Sequence, residues 1–168
     1  MTAAVLRLGH RPFRDRRITT HIALVARAFG ADKMVMSVKD EGVEKSVEKL
    51  VKRWGGDFFV DTVEDWKAYI KDFKGSVVHM TMYGMPVDEM IGKIRGDNVL
   101  VVVGSKKVPG EIFDLADYNI SIGNQPHSEV SALAIFLDRF FMGEGLGKRF
   151  KGKLSIRPSN RSKIIKSG

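Results

Sequence analysis

No cysteine occurs in the 168 residues, so disulfides, thiolate nucleophiles and cysteine-bound metals are all excluded. The four histidines, at 10, 21, 79 and 127, lack metal-ligand spacing, and no metal site is expected. No stretch approaches the ~18 consecutive apolar residues of a membrane span. Near the N-terminus Arg7, His10, Arg11 and Arg14 stand where a secretory signal would need its apolar run. A cytoplasmic protein with no membrane partner is the expectation. Three glycine motifs are also missing. No Gly-x-Gly-x-x-Gly follows the first apolar segment, no Gly-Lys-Ser/Thr closes a loop, and no Gly-x-Ser-x-Gly elbow exists. Ordinary dinucleotide-binding domains, P-loop nucleotidases and elbow-type hydrolases are thereby disfavoured.

What the chain has in excess is positive charge, and that charge is clustered. Of a net +8, residues 144–168 supply eight Lys/Arg against the single acid Glu144. Residues 7–17 add five arginines against Asp15, and the remainder is mildly acidic. Two basic patches on an acidic body point to phosphate binding, with nucleic acid the natural partner. The plainer reading of the tail is an aid to solubility.

Length and a 43% hydrophobic content suit one domain with a real core and room for an appendage. Apolar runs at 3–8, 33–38, 58–60, 76–82, 99–103 and 118–122 predict strands, and Val99–Val103 belongs at the sheet centre. Between them, helical spacing predicts helices over 18–29, 41–54, 63–73, from Pro86 to about 94, and over a short turn at 111–115. Thr19 or Thr20 is the expected cap of the first helix, and Gly30 its exit. A last helix carries Val130, Leu133, Ala134, Leu137, Phe140 and Phe141 on one face, with Pro126 suited to its first turn. Trp66, Ile70 and Phe73 read as core, and His79 as a satisfied core histidine. Strands alternating with helices and buried on both faces make a parallel sheet in a three-layer α/β domain.

After Gly143 the pattern changes. Gly143, Gly145 and Gly147 read as a flexible exit, and the chain divides into 1–143 and a basic extension, 144–168. Within the extension, 153–157 and 161–165 flank Pro158-Ser159-Asn160, which reads as a three-residue-loop hairpin or a disordered tail. Burial needs at Leu154, Ile156, Ile164 and Ile165 favour the hairpin.

Three polar turns, around 82–84, 104–110 and 122–129, end consecutive late strands, and a parallel sheet brings all three to one carboxyl edge. They offer main-chain amides, Gly, Ser, Asn and Gln, but no acid plainly placed to grip a ribose. Such a pocket suits an adenine-bearing ligand that is held without a phosphate cradle.

Three segments carry a family resemblance: Asp15–Ala31 (DRRITTHIALVARAFGA), Leu100–Gly110 (LVVVGSKKVPG) and Ile122–Leu133 (IGNQPHSEVSAL). Together they resemble the motifs of the SPOUT class of RNA methyltransferases. More narrowly, HRPFRDRRITTHIALVARAFGA, VVVGSKKVP and IGNQPHSEVSALAIFLDR resemble the archaeal tRNA 2′-O-methyltransferases that act on the T-loop cytidine at tRNA position 56. The resemblance implies a C-terminal trefoil knot, S-adenosyl-L-methionine as methyl donor, tRNA as substrate and a homodimer. It places the donor against Met82, against Gly104, Ser105, Lys106, Lys107 and Val108, and against Ile122, Gly123, Asn124, Gln125, Pro126, His127, Ser128 and Glu129.

Departures from the wider 2′-O-methylating pattern fall on chemistry. The motif asparagine and arginine of the first helix are Ile18 and Leu24 here. The acid after Gly-Ser is Lys106, and the third-motif asparagine is Glu129, while its serine is kept as Ser131. A cation for the 2′-hydroxyl must therefore come from elsewhere, and Arg14, Arg16 and Arg17 are the candidates, the last two foremost. His21 is a secondary candidate for a base. Two other readings compete: a non-catalytic RNA-binding α/β protein, and a member of the same superfamily that methylates a base.

Overall fold

The computed structural model of the chain describes residues 1–105 and 108–167. Strands β1 (Thr2–Leu8), β2 (Lys33–Met36), β3 (Phe59–Thr62), β4 (Ser76–Pro86), β5 (Asn98–Gly104) and β6 (Tyr118–Ser121) form one sheet. Its order is β3-β2-β1-β5-β4-β6, with every pair parallel. Helices α1 (Arg16–Ala28), α2 (Glu41–Trp54), α3 (Trp66–Asp72), α4 (Val87–Met90) and α5 (Ile112–Leu115) connect the strands, and α6 (Glu129–Phe140) follows β6.

Alternation along each buried strand sorts side chains into two cores. Val99, Val101 and Val103 join Ile22 and Ala26 of α1, Val43 and Val47 of α2 and Leu133 and Phe136 of α6 on one face. Leu100 and Val102 join Ile70 of α3 and Ile112 of α5 on the other. Steps toward the β3 edge cross the first face through α1, α2 and α4. Steps toward the β6 edge cross the second through α3 and α5, as right-handed crossovers require. Three layers follow, with β5 between β1 and β4 at the centre, as the VLVVV run predicts.

Several local expectations change. α1 begins at Arg16, and its N-cap residue is Asp15, whose carboxylate does not cap the helix because Arg11 and Ser105 occupy it. α6 begins at Glu129 with Ser128 as N-cap, its Oγ accepting from the Val130 N–H. Pro126 therefore lies before the helix rather than in its first turn. β4 does not stop at Met82: it runs to Pro86 with a slip, Ile120 of β6 pairing with both Met80 and Met85. The extension does form a hairpin, β7 (Leu154–Arg157) on β8 (Ile164–Ser167), but Arg157 pairs with Ile164, so the loop is 158–163 and longer than expected. Its apolar residues find little cover: Ile156 is 68% exposed and Ile165 41%.

The glycine exit is packed at its middle residue, Gly145, while Gly143 and Gly147 have open space beside them. Gly145 is buried in a 3-10 turn, with no room for a Cβ beside the Phe29 carbonyl. Further on, Gly152 crosses the backbone of Trp54 and Gly55 equally closely, and Phe150 lies against Gly56 and under the Arg27 guanidinium at 4.0 Å. Residues 144–152 are thus laid onto α1 and α2 before the hairpin begins.

Candidate active site

At the carboxyl ends of β4, β5 and β6 lies a cavity of about 820 Å³, within the range of small-molecule sites. It sits beside the point where the chain turns from β1 toward β3 on one side and toward β6 on the other, the usual ligand crevice of an open parallel sheet. The three polar turns do converge there. Met82, Gly104, Ser105, Val108, Ile122, Pro126, His127 and Glu129 line it, and Met80 adds an apolar wall. A Cβ on Gly104 would overlap the Val108 side chain, so only glycine lets the β5 exit pass so close to the returning loop.

Gly123, Asn124, Gln125 and Ser128 do not line the cavity, but Gly123, Asn124 and Ser128 shape what does. Asn124 Nδ2 donates to the carbonyls of Met82 (2.8 Å) and Gly84 (3.1 Å). Those two carbonyls flank the slip in β4 that frees Thr81–Gly84 from regular pairing, so one amide fixes the loop that carries Met82. Gly123 takes a left-handed φ of 70°, and Ser128 caps α6. Lys106 and Lys107 lie outside the described residues.

Residues that the turns did not point to hold the site together. Arg7 is 0% exposed at the end of β1, and it donates to the Gly104 carbonyl (2.7 Å) and to Glu129 (3.1 Å). Burial lowers its pKa, and the Glu129 carboxylate opposes that shift. One guanidinium thus clamps the exits of β1 and β5 to the start of α6. Arg11 grips Asp15 through two bonds of 2.8 Å, and Ser105 Oγ donates to the same carboxylate. Hydrogen bonds from Arg11 hold the Asp15 carboxyl far below the usual carboxylate range, against the contrary effect of burial.

His79 is buried, as expected of a core residue, yet it also forms part of the cavity wall. Asn119 Nδ2 donates to the Phe113 carbonyl, which turns its Oδ1 toward His79 Nδ1 at 2.8 Å. Nδ1 therefore carries the proton, and Nε2 is left as an acceptor. Burial lowers the His79 pKa despite the Asn119 bond, so the ring is neutral at neutral pH. Its position inside an apolar strand run concealed this second role.

None of Arg14, Arg16 and Arg17 lines the cavity. Arg16 Nε donates to the buried Asp40 (3.0 Å), which also meets His10 Nε2 (3.2 Å) and caps α2. Burial would raise the Asp40 pKa, but the bonds from Arg16, His10 and Gly42 outweigh it and hold the carboxyl below its ordinary value. Arg14 and Arg17 are exposed and make no ion pair among the described residues. His21 is exposed on α1 and also lies off the cavity.

Comparison with known proteins agrees with this architecture. Among solved structures, an AdoMet-bound rRNA methyltransferase from Sinorhizobium meliloti superimposes with a TM-score of 0.61 at 18% identity, covering 84% of this chain and 56% of that one. The A. aeolicus TrmH/SpoU tRNA modifying enzyme gives 0.60 at 16% identity over 85% of this chain and 75% of that one. These likenesses establish a SPOUT-type fold. In sequence, the tRNA (cytidine(56)-2′-O)-methyltransferase of Methanothrix thermoacetophila is 53% identical across 98% of this chain and 97% of its own length. The enzyme of the same name from Thermoplasma volcanium is 54% identical over 97% of this chain, which spans only 49% of that longer protein. Residues 54–166 match the family described as tRNA ribose 2′-O-methyltransferase, aTrm56. With identity above half along nearly its whole length and the sheet-edge cavity in place, the chain belongs to the aTrm56 family of tRNA ribose 2′-O-methyltransferases.

Proposed function

We propose that this protein transfers a methyl group from S-adenosyl-L-methionine to the ribose 2′-hydroxyl of cytidine 56 in the T-loop of tRNA. The observation that carries the reading is the cavity itself. It stands where the family motifs converge, and apolar residues share its wall with polar and charged ones. The residues present fit the donor. Gly104 lets Val108 close onto the β5 exit, Met80, Met82, Val108 and Ile122 offer an apolar bed, and Glu129 brings a carboxylate suited to a cationic ligand. When bound, the donor supplies a methyl on positively charged sulfur, already activated for in-line displacement.

The chain's own groups then have three tasks. The loops 104–108 and 122–129 align the donor and exclude water, with Arg7 keeping Glu129 and Gly104 in register. The arginines of residues 10–17 hold the phosphate next to the reacting ribose and stabilise the 2′-oxygen as its proton passes to solvent water and the methyl–oxygen bond replaces the methyl–sulfur bond. Arg16 is pre-set by Asp40, while exposed Arg14 and Arg17 can swing to the RNA, within one subunit or across the homodimer that the family resemblance implies. We also assign the threaded passage of the last strands, the trefoil knot, to the segments 104–110 and 122–128. The unit 1–143 carries the chemistry, and 144–168 contributes RNA contacts.

The test is methyl transfer from labelled donor to an unmodified tRNA transcript, followed by alkaline hydrolysis. A hydrolysis-resistant linkage after cytidine 56 is expected. Label released on a methylated base would move the reaction to the base-methylating alternative. Tight tRNA binding without donor binding by calorimetry would favour the non-catalytic one.

A further inference from the structure

We propose that Phe13 is a nucleobase-stacking residue that receives an unpaired base of the RNA substrate beside the cavity. The inference rests on tRNA being the substrate. Phe13 is 84% exposed, more than any other large apolar side chain among the described residues. Its backbone is held at φ +67°, and the Arg14 N–H reaches back to the Pro12 carbonyl at 2.8 Å. Together these make a γ-turn of the left-handed form, which is rare and unfavourable for a residue with a Cβ. Glycine would take this conformation freely. The surroundings impose it on phenylalanine instead. The Asp15 N–H donates to the Arg11 carbonyl, and the doubly bonded Arg11–Asp15 pair closes the loop around the turn.

Within the chain this arrangement brings almost no burial in return. Strain of this kind, enforced by neighbours, tends to gather at binding sites. The chemistry around the ring identifies what it meets. Four arginines, 11 and 14 of its loop and 16 and 17 opening α1, lie within four residues of it, and the Arg16 guanidinium lies 5.0 Å from the ring centroid. A flat apolar face among guanidinium groups matches a base carried between phosphates, and stacking on aromatic and arginine planes is how unpaired RNA bases are commonly held. An acidic protein would answer the charge but not the exposed ring. The turn is flanked by Arg11 and Asp15, both lining the cavity, so a base stacked there lies next to the ribose being presented.

The experiment compares Phe13→Ala, Phe13→Leu, Phe13→Trp and Phe13→Gly in the full chain. It reads tRNA affinity at fixed salt, donor binding by calorimetry, sedimentation and thermal midpoint. Ala and Leu are expected to weaken tRNA binding by on the order of 5- to 150-fold, with Trp close to wild type. Donor binding and sedimentation should not change. Phe13→Gly guards against a folding artefact, because it relieves the turn: its midpoint should rise while tRNA affinity still falls. Unchanged affinity in Phe13→Ala, or Leu matching Phe, overturns the stacking assignment. A sedimentation change in Phe13→Ala overturns it in favour of a contact between two copies. If the wild-type chain methylates tRNA in the same series, such a result removes only this assignment. If it binds no tRNA, the proposed function falls as well.

Discussion

The two basic segments have similar charge density in the sequence and opposite fates in the fold. In residues 7–17, three of the five arginines are bonded to acids from other parts of the chain or loop: Arg7 to Glu129, Arg11 to Asp15 and Arg16 to Asp40. In residues 148–166, the cations of the hairpin make no ion pair among the described residues, and Lys148 meets Asp32 only at 4.0 Å. A run of positive charge therefore has two physical uses. Buried or bidentate guanidinium groups fix geometry, because removing one strands a carboxylate or carbonyl without its partner. Exposed lysines and arginines cost little to leave unpaired and remain available to polyanions. If this contrast is right, mutations in the first segment should damage stability and chemistry, and mutations in the second should damage affinity alone.

The strongest test is Arg7→Met. Methionine fills similar volume, but it leaves Glu129 without its cation and the Gly104 carbonyl without a donor. We expect a loss of about 3 kcal/mol in urea unfolding, toward the low end for a broken buried pair because Glu129 still reaches water. Adding Glu129→Gln should restore part of that loss. A destabilisation no larger than that of a surface substitution would show that the clamp is not structural.

Next in size is the chemical step. Single changes of Arg14, Arg16 and Arg17 to Ala should include at least one that lowers single-turnover methylation by about 10²-fold, with donor affinity unchanged. Arg16→Ala should also lower the thermal midpoint, because it removes a bond to the buried Asp40. If all three variants react at the wild-type rate, the group that acts on the 2′-hydroxyl lies elsewhere, and His79 becomes the first candidate.

For the second segment, truncation after Gly152 removes the hairpin but keeps the crossing of Gly152 over Gly55 and the Phe150–Arg27 stack. The body should fold and bind donor as before, while tRNA affinity drops about tenfold. Five Lys/Arg go with the hairpin, namely 153, 157, 161, 163 and 166. If all of them meet phosphates, the slope of log affinity against log salt should flatten by up to about four. Truncation after Gly147 should instead destabilise the protein, since it uncovers Arg27, whose Nη2 donates to the Gly55 carbonyl at 2.7 Å beneath Phe150. Equal stability of the two truncations would dissolve the distinction between anchored segment and RNA-facing hairpin.

Much of this was legible in the sequence. Apolar runs and helical spacing placed every strand of the sheet and the major helices, and nine residues of the three predicted turns line the cavity. What escaped notice depended on partners far away in the chain. Arg7 sits 122 residues from Glu129, so nothing local marks it as buried. His79 looked like core because its strand is apolar, and its cavity role comes from Asn119 in the neighbouring strand. The glycines at 143–147 read as a hinge because absence of a side chain signals freedom or close contact equally; at Gly145, Phe29 and Phe141 decide for contact. The slip in β4 could not be read either, since Thr81–Gly84 leaves the ladder only where Asn124 can hold its carbonyls.

The smallest effect expected concerns acid. Asp15 has a folded pKa below its unfolded value of about 3.9, so the unfolded state takes up the proton first as pH falls. Its contribution is complete above the ordinary carboxylate range and is lost as pH drops beneath that value toward the folded one. Asp40, bonded to Arg16, has the same sign of shift, so the two carboxylates paired with Arg11 and Arg16 act together. In Asp15→Asn the neutral amide cannot hold Arg11 as tightly, but it becomes able to cap α1, a role the carboxylate leaves unfilled. The two changes oppose each other, and stability at pH 7 should move little. The profile between about pH 4 and pH 2 should nevertheless flatten, because one of the groups that release protons on folding is gone. Removal of the hairpin should leave that profile unchanged, since no side-chain carboxylate lies beyond Gly152 and truncation only moves the terminal one. Urea midpoints of the three proteins across this range decide the matter: an acid slope that responds to the truncation and not to Asp15→Asn would place the paired charges in the wrong segment.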